Sequence, residues 1–385
     1  MDFEEFYGYY LCNFDAFDTN HVQTGVDRKV QSQIKAFNNS GLNCSFIYCP
    51  YPEKRWKRGL GSLPGFSDET KWPDIDSLGR PSYLYIRRPM FSSREFINFL
   101  RMFKRQNSCA KIIMEIPSYP YDNEYQSHEL YFALRKDIKY RNQWRDYVDY
   151  IADLSGEKEI FSIQTLPIIN GVDIDSLKTR RPSFNPEEPI HLIFSAFFGP
   201  WHGCDLLLKG LADYYDRKGD REVIVHLAGG GNLLDQISRQ VKNLGLSSRV
   251  VLHGALSQDE LDVLFDQCTI AVGSLGLHRR SQNCRDSSLK TREYLAKGIP
   301  FIYAGSVDVF ETDPVDFCLQ FPSIEQPVDF FKVIDFHDSL YKEEAETELI
   351  QRIRDYAENH VSMDAAMANV IEVLKRDKGL ISNSL

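Results

Sequence analysis

No run of about 20 apolar residues occurs in the 385-residue sequence, which excludes an ordinary membrane-spanning helix. The N-terminus, MDFEEFYGYY, is acidic where an export signal is basic and then apolar, so export is not expected. Cysteines are scattered (Cys12, Cys44, Cys49, Cys109, Cys204, Cys268, Cys284 and Cys318) without a CxxC pair. That argues against a disulfide framework or a zinc site and reads as the reduced, mostly buried thiols of a cytoplasmic protein. Basic excess is also missing: the net charge is −10, which argues against a nucleic-acid partner. The acidic surplus lies beyond residue 180, and before it the two signs balance around basic clusters at Lys54 to Arg58, Arg101 to Lys111 and Arg135 to Arg145. Such clusters read either as solvated helix faces or as contacts for anionic lipid or a diphosphate-bearing acceptor. The DID triplets at 74–76 and 173–175 look like a metal-binding DxD but are short enough to arise by chance.

What is present is ordinary globular material, 43% apolar and 26% charged, long enough for two domains. The first half reads as alternating strands and helices. A strand over Tyr7 to Phe14 precedes a helix from Thr24-Gly25 to Phe37, with Val26, Val30, Ile34 and Phe37 on the helical period. Gly25 at that strand-to-helix turn lets backbone N–H groups approach a phosphate, or is simply a tight turn. Strands over 41–48 and 82–86 bracket an irregular Pro- and Gly-rich excursion at 50–80. Ser92 or Ser93 caps a helix over 94–105, and Lys111 to Ile116 forms the next strand. That strand delivers Glu115, Tyr119 and Asp122 to the carboxyl edge of the sheet, where open α/β sheets bind ligands. They are acceptor-side candidates, or a Pro-stiffened loop with surface carboxylates. A helix over 129–145, a strand over 147–151 and an apolar segment at 160–163 follow, before PIINGVD at 167–173 and a Pro- and Glu-rich linker at 178–189.

The second half opens with a strand at 190–195 and carries AGGGN at 228–232 after a strand over 223–227. The loop Gly276 to Arg280 follows a strand over 269–272. Its His278 and Arg279 are either a forked clamp for phosphate oxygens or a solvated basic loop. Residues 287–303 read SSLKTREYLAKGIPFIY: Ser287 or Ser288 to start a helix, Gly298 and Pro300 to end it, then a buried strand. Lys290 and Glu293 stand three apart near the helix start, and read as a solvated ion pair or as partners of a ligand with a phosphate and a sugar diol.

EYLAKGIPFI resembles the segment E-(A/Y)-(M/L)-A-x-G-x-P-(V/F)-(V/I) of retaining GT-B glycosyltransferases of the family 4 type, and Lys290 falls at the Lys of its K-x-x-E-Y variant. PIINGVD is similar to the family's (I/V)-P-N-G-(V/I)-D, with Asn170, Gly171 and Asp173 in register, and LGLSSRVVLHG is similar to L-G-L-x-x-x-V-x-F-x-G. The resemblance implies that Glu293 binds the ribose of a nucleotide sugar, with Lys290 and Thr291 beside it. It implies that Gly254, Ala255 and Leu256 contact the base, and that Gly25 and Gly230 admit the phosphates. Departures are clear. Phe197 and His202 stand where the family has the Arg and Lys that bind the diphosphate, Arg285 stands where it has the first Glu of E-x7-E, and EIPSYPYDNE lacks its His.

The resemblance therefore predicts an α/β protein of GT-B fold: two facing Rossmann-like domains, an acceptor domain at 1–175 and a donor domain at 176–365, with a C-terminal helix at 366–385 crossing back to the first. The implied activity is hexosyl transfer, retaining and metal-independent, from a nucleoside-diphosphate sugar to a hydroxyl of a glycan or lipid-linked glycan in bacterial surface polysaccharide synthesis. Catalytic candidates are Glu115, Tyr119, Asp122, His278 and Arg279. Donor candidates are Gly25, His202, Gly230, Gly254, Ala255, Leu256, Lys290, Thr291 and Glu293. No cofactor, metal or nucleic acid is expected, and the location is cytoplasmic with peripheral contact at the inner face of the membrane. A nucleotide-sugar-binding subunit without catalysis and a GT-B-like sugar-nucleotide epimerase are the alternatives.

Overall fold

A computed structural model describes residues 6–19, 24–63, 65–125, 128–280 and 284–377. The acidic start at 1–5, the approach to Gly25 at 20–23 and the last part of the expected closing helix, 378–385, lie outside the described residues. The chain divides into two units, Met1–Gly171 with Met363–Leu385, and Val172–Ser362.

The first unit runs β1 (Gly8–Cys12), α1 (Gly25–Asn39), β2 (Cys44–Tyr48), α2 (Arg55–Ser62), β3 (Tyr83–Arg87), α3 (Arg94–Gln106), β4 (Lys111–Ile116), α4 (His128–Arg141), β5 (Tyr150–Asp153), β6 (Glu159–Ile160) and β7 (Ile163–Pro167). The sheet order is β2-β1-β3-β4-β5-β7-β6, parallel except for the antiparallel β6. Central strands such as KIIMEI are apolar on both faces because helices cover both. One face packs Phe96, Leu100 and Phe103 of α3 with Trp144, and the other packs Val30 and Phe37 of α1 with Tyr83 and Tyr85. Truncating a ring such as Phe37 to Ala would cost ~3 to 5 kcal/mol through lost transfer energy and a residual cavity.

Several local expectations shift. Val26 keeps the helical period yet lies 44% exposed, so the apolar stripe of α1 begins at Val30. The excursion at 50–80 contains a helix, α2. The helix expected over 129–145 ends at Arg141, and 142–146 tighten into a 3₁₀ turn that buries Trp144. The following strand therefore starts at Tyr150, three residues later than the periodicity suggests.

The second unit runs β8 (Ile190–Ser195), α5 (Cys204–Asp216), β9 (Val223–Ala228), α6 (Leu234–Asn243), β10 (Val250–Gly254), α7 (Gln258–Phe265), β11 (Ile270–Val272), β12 (Arg285–Asp286), α8 (Leu289–Lys297), β13 (Phe301–Ala304), β14 (Ser306–Val307), β15 (Cys318–Phe321), α9 (Phe330–Glu343) and α10 (Glu346–His360). Its main sheet is wholly parallel, in the order β10-β9-β8-β11-β13-β15. The strand order reverses between β8 and β11, so the crevice for a ligand lies beyond the carboxyl ends of those two strands. Arg354 of α10 donates to the carbonyl oxygens of Ile174, Leu177 and Ala296, tying α8 to the start of the unit. The last helices, α11 (Met363–Ala366) and α12 (Ala368–Asp377), belong to the first unit: α11 packs on α1, α12 beside β7. Among the described residues, no helix is long and apolar enough to cross a membrane.

Candidate functional site

The crevice of the second unit is built by loops that close on one another. After β8, Ala196 N–H donates to the Ala228 carbonyl (3.0 Å) and Phe198 N–H to that of Gly230 (2.7 Å), while Gly229 N–H donates to Gly254 (2.6 Å). These contacts need bare backbone: a Cβ on Gly229 would lie 1.9 Å from the Ala196 carbonyl oxygen, and one on Gly231 would lie 2.6 Å from the Phe198 nitrogen. Gly230, expected to be the close-approach position, has only the Phe197 ring nearby, at 3.7 Å. The glycine run is thus explained first by loop packing, at 229 and 231. On the other side of the switch, Leu275 N–H donates to the His202 carbonyl (2.9 Å) and Gly276 N–H to that of Trp201 (3.1 Å). Gly254 sits in the left-handed region at φ +70°, with Ala255 exposed and Leu256 half-buried beyond it.

Helix α8 enters this rim from below. Ser288 is its N-cap residue but makes no side-chain capping bond. Asp286 accepts instead from Ser288 N–H (2.8 Å) and lies one turn before Lys290. Gly298 ends the helix at φ +70°, as expected. Tyr294, fully buried, ties the two strands at the switch: its hydroxyl accepts from Ser195 N–H (3.2 Å) and donates to the Val272 carbonyl (3.1 Å). The Thr291 hydroxyl is turned inward and donates to Ser288 O (2.9 Å), and Arg292 pairs with Asp308 in the core. Glu293 stands half-buried one turn beyond Lys290.

Lys290 is the unusual group. Its ammonium is shielded from solvent and makes no hydrogen bond among the described residues, so the solvated ion pair with Glu293 is not formed. It lies 5.3 Å from the Phe194 ring centroid, a contact worth ~1 kcal/mol that does not replace hydration. Burial pushes its pKa down to about 8, against a partial opposing pull from Asp286. His202 is also depressed, to about 3, first by burial and then by the charges of Lys290 and Arg280. Its Nδ1 accepts from Gly199 N–H (2.9 Å), so the neutral ring carries its proton on Nε2 and is a donor there. Lys290, His202 and Arg280 therefore share one electrostatic environment.

The expected clamp at His278 and Arg279 is arranged differently. Arg279 is held by Asp205 (2.7 and 3.0 Å) and by Glu325, and the His278 ring by Glu325 (2.9 Å) and Ser323. These pairs brace the turn, while Arg280, 5.3 Å from the Trp201 ring centroid, acts on His202 alongside Lys290. Phe197, at the position of the family's Arg, is 71% exposed.

In the first unit the acceptor candidates do not converge. Glu115 is fully buried and accepts from Arg87 (2.7 Å), Tyr85 (3.0 Å) and Gln33 (3.1 Å), with Lys29 at 3.3 Å. Burial alone would raise its pKa, but Lys29 and Arg87 outweigh it and hold the carboxyl down at about 2. Asp122 faces the opposite layer and pairs with Arg141 of α4 (2.6 Å), while Tyr119 packs edge-on against Phe161. Gly25 opens α1 behind a capping box in which Thr24 N–H donates to Asp27 (2.7 Å), so a carboxylate already serves that helix start. Lys29, Arg87 and Tyr294 were not singled out in the sequence. The signal available was placement, Arg87 at a strand end and Lys29 near a helix start, which periodicity alone does not weight; Tyr294, in mid-helix, offered none.

The fold is that of the GT-B glycosyltransferases. Similar solved structures include a glycosyltransferase from Rickettsia africae (12% identity, TM-score 0.59, covering 99% of this chain and 100% of that one) and sucrose-phosphate synthase from Thermosynechococcus elongatus (14%, 0.58, 98% and 100%). Another is HepE of Anabaena in complex with UDP (11%, 0.55, 96% and 100%). Residues 175–275, which carry His202, the glycine run and Gly254, match the family described as glycosyl transferases group 1. No curated protein matches the chain.

Proposed function

We propose that the protein transfers a sugar, of hexosyl type, from a nucleoside-diphosphate sugar to a hydroxyl of a glycan or lipid-linked glycan, with the donor held at the crevice of the second unit. The observation that carries this reading is the Lys290 ammonium, shielded and without a hydrogen-bond partner at the first turn of α8. A cation desolvated in this way awaits an anion. Beside it, Nε2 of the neutral His202 supplies a hydrogen-bond donor and Arg280 a second charge. Together they offset the negative charge that grows on the leaving diphosphate, and electrostatic stabilisation of that kind dominates such departures. Glu293 accepts from the ribose hydroxyls. The UDP complex of the similar HepE supports a nucleoside diphosphate as the ligand.

The finer parts of the reading are retention of configuration in the manner of family 4, independence of metal, a cytoplasmic location with peripheral membrane contact, and a role in surface polysaccharide synthesis. They follow from the resemblance at EYLAKGIPFI and PIINGVD. The test is titration calorimetry with a panel of nucleoside diphosphates, followed by sugar release and transfer from the matching donors with and without lipid extract. Transfer that requires lipid extract supports the reading. Binding without turnover would indicate a nucleotide-sugar-binding subunit, a reading favoured by Phe197 and His202 at the usual cation positions, and donor conversion without acceptor an epimerase. Failure of every diphosphate to bind refutes the proposal.

A further inference from the structure

The first unit carries a cavity of about 1100 Å³ that none of the groups above uses. That exceeds the ~300 to 1,000 Å³ of most small-molecule pockets. Helix α2 and the chain before it form one wall, and the segment after β3 together with α4 forms the other. The wall is built rather than incidental. Lys136 of α4, 1% exposed, donates to the carbonyl oxygens of Gly61 and Phe66, so a buried ammonium closes the carboxyl end of α2 and fastens it to α4. The lining is mostly apolar, with the buried Phe91 inside and Trp56 and Phe132 towards the mouth.

Charge is confined to one rim. Lys54, Arg55, Lys57 and Arg58 line it, in a protein whose overall charge is −10. Lys57 is paired with Glu69 (2.7 Å), whereas among the described residues Lys54 and Arg58 have no carboxylate partner. Among the described residues the one acid of the lining, Asp68, is buried and occupied by Thr70 and Ser93, so it does not neutralise the rim. Around the mouth Trp56 is 60% exposed, Met90 50% and Phe132 46%. An apolar trough with exposed aromatics and a cationic lip matches a molecule that is hydrocarbon along its length and anionic at one end.

We propose that this groove takes the hydrocarbon chain of a long-chain lipid phosphate or diphosphate drawn from a membrane surface, its headgroup held by Lys54 and Arg58. On the transfer reading above, on which its acceptor role rests, this is the anchor of the lipid-linked acceptor. A free nucleotide would leave the trough empty, and an acidic peptide would leave it in contact with polar backbone.

The test is flotation of the full chain with three kinds of vesicle: phosphatidylcholine alone, phosphatidylcholine with phosphatidylglycerol, and phosphatidylcholine with a polyprenyl phosphate at matched surface charge. The third should retain the protein best. The double variant Lys54→Glu, Arg58→Glu and the single variant Phe132→Asp should each weaken that retention about tenfold or more. Circular dichroism checks their folding, and the affinity for nucleoside diphosphate should be unchanged in both. Equal retention on phosphatidylglycerol and polyprenyl phosphate would reduce the surface to a non-specific charge contact and overturn the groove. So would unaltered retention by the folded variants. Loss of diphosphate binding in the wild-type chain with lipid retention intact would remove the acceptor role and leave the lipid site standing.

Discussion

Replacing Lys290 with Met should make the ligand-free protein more stable and the nucleotide complex weaker. The ammonium of Lys290 has lost its water without gaining a hydrogen bond, and its pKa stands at about 8 rather than 10.5. That difference corresponds to about 3 kcal/mol at most, since one pH unit is ~1.4 kcal/mol. The sign follows from linkage. Because the folded form holds its proton less tightly than the unfolded one, the penalty is complete below pH 8 and fades as pH rises from 8 towards 10.5. Met keeps most of the apolar volume and removes the charge, so at pH 7 urea unfolding should show a gain of ~1 to 3 kcal/mol. Binding moves the other way. A charge-assisted hydrogen bond to a phosphate oxygen is worth ~1.5 to 3 kcal/mol, so diphosphate affinity should fall at least about tenfold. In the wild type, affinity should hold level below pH 8 and decline above it as the free ammonium deprotonates, and calorimetry near that pH should record proton uptake. A variant that is no more stable, with unchanged affinity and a flat pH profile, would refute the assignment of Lys290 to an anion site.

Glu293→Ala should weaken diphosphate-sugar binding by ~1 to 3 kcal/mol in titration calorimetry, and unchanged affinity would remove Glu293 from the site. Glu115→Gln leaves Lys29 and Arg87 buried without their carboxylate, so the first unit should lose ~3 to 5 kcal/mol in denaturant unfolding while diphosphate affinity is retained. In the wild type the contribution of Glu115, whose folded pKa is about 2, is complete above pH 4.5 and lost as pH falls towards 2, so the variant should show a shallower acid decline over that window. Gly229→Ala drives a methyl into the Ala196 carbonyl oxygen, so the loops at the crevice must part. Diphosphate affinity should drop, and Gly230→Ala, whose methyl would meet only the Phe197 ring at 3.7 Å, should have the smaller effect.

The carboxyl edge of the second sheet could be named from the chain because its signals are local. Gly298 and Pro300 must end a helix and IHLIFS must be a buried strand, whereas the turn expected at Asn170-Gly171 is not formed in the described backbone. Partnership was not legible. His278 and Arg279 offered the same cations to a phosphate as to Asp205 and Glu325, and only the folded chain shows that the carboxylates, far off in sequence, hold them. Glu115 likewise stood at the end of its strand, as a ligand-binding acid would, but the residues that enclose it come from α1 and β3.

Local chemistry thus settled most of the strands and helices of the two sheets, though not α2 or the early end of α4, and it was the resemblance at EYLAKGIPFI and PIINGVD that implied GT-B. Backbone sterics and the period of apolar residues act over a few positions and need no distant partner. Which charges are already neutralised, and which one is left waiting, was decided only by tertiary structure. The cost of desolvating Lys290 depends on what surrounds its ammonium, and besides its near neighbour Asp286 those surroundings include Phe194 of β8, which meets it only when the sheet has formed.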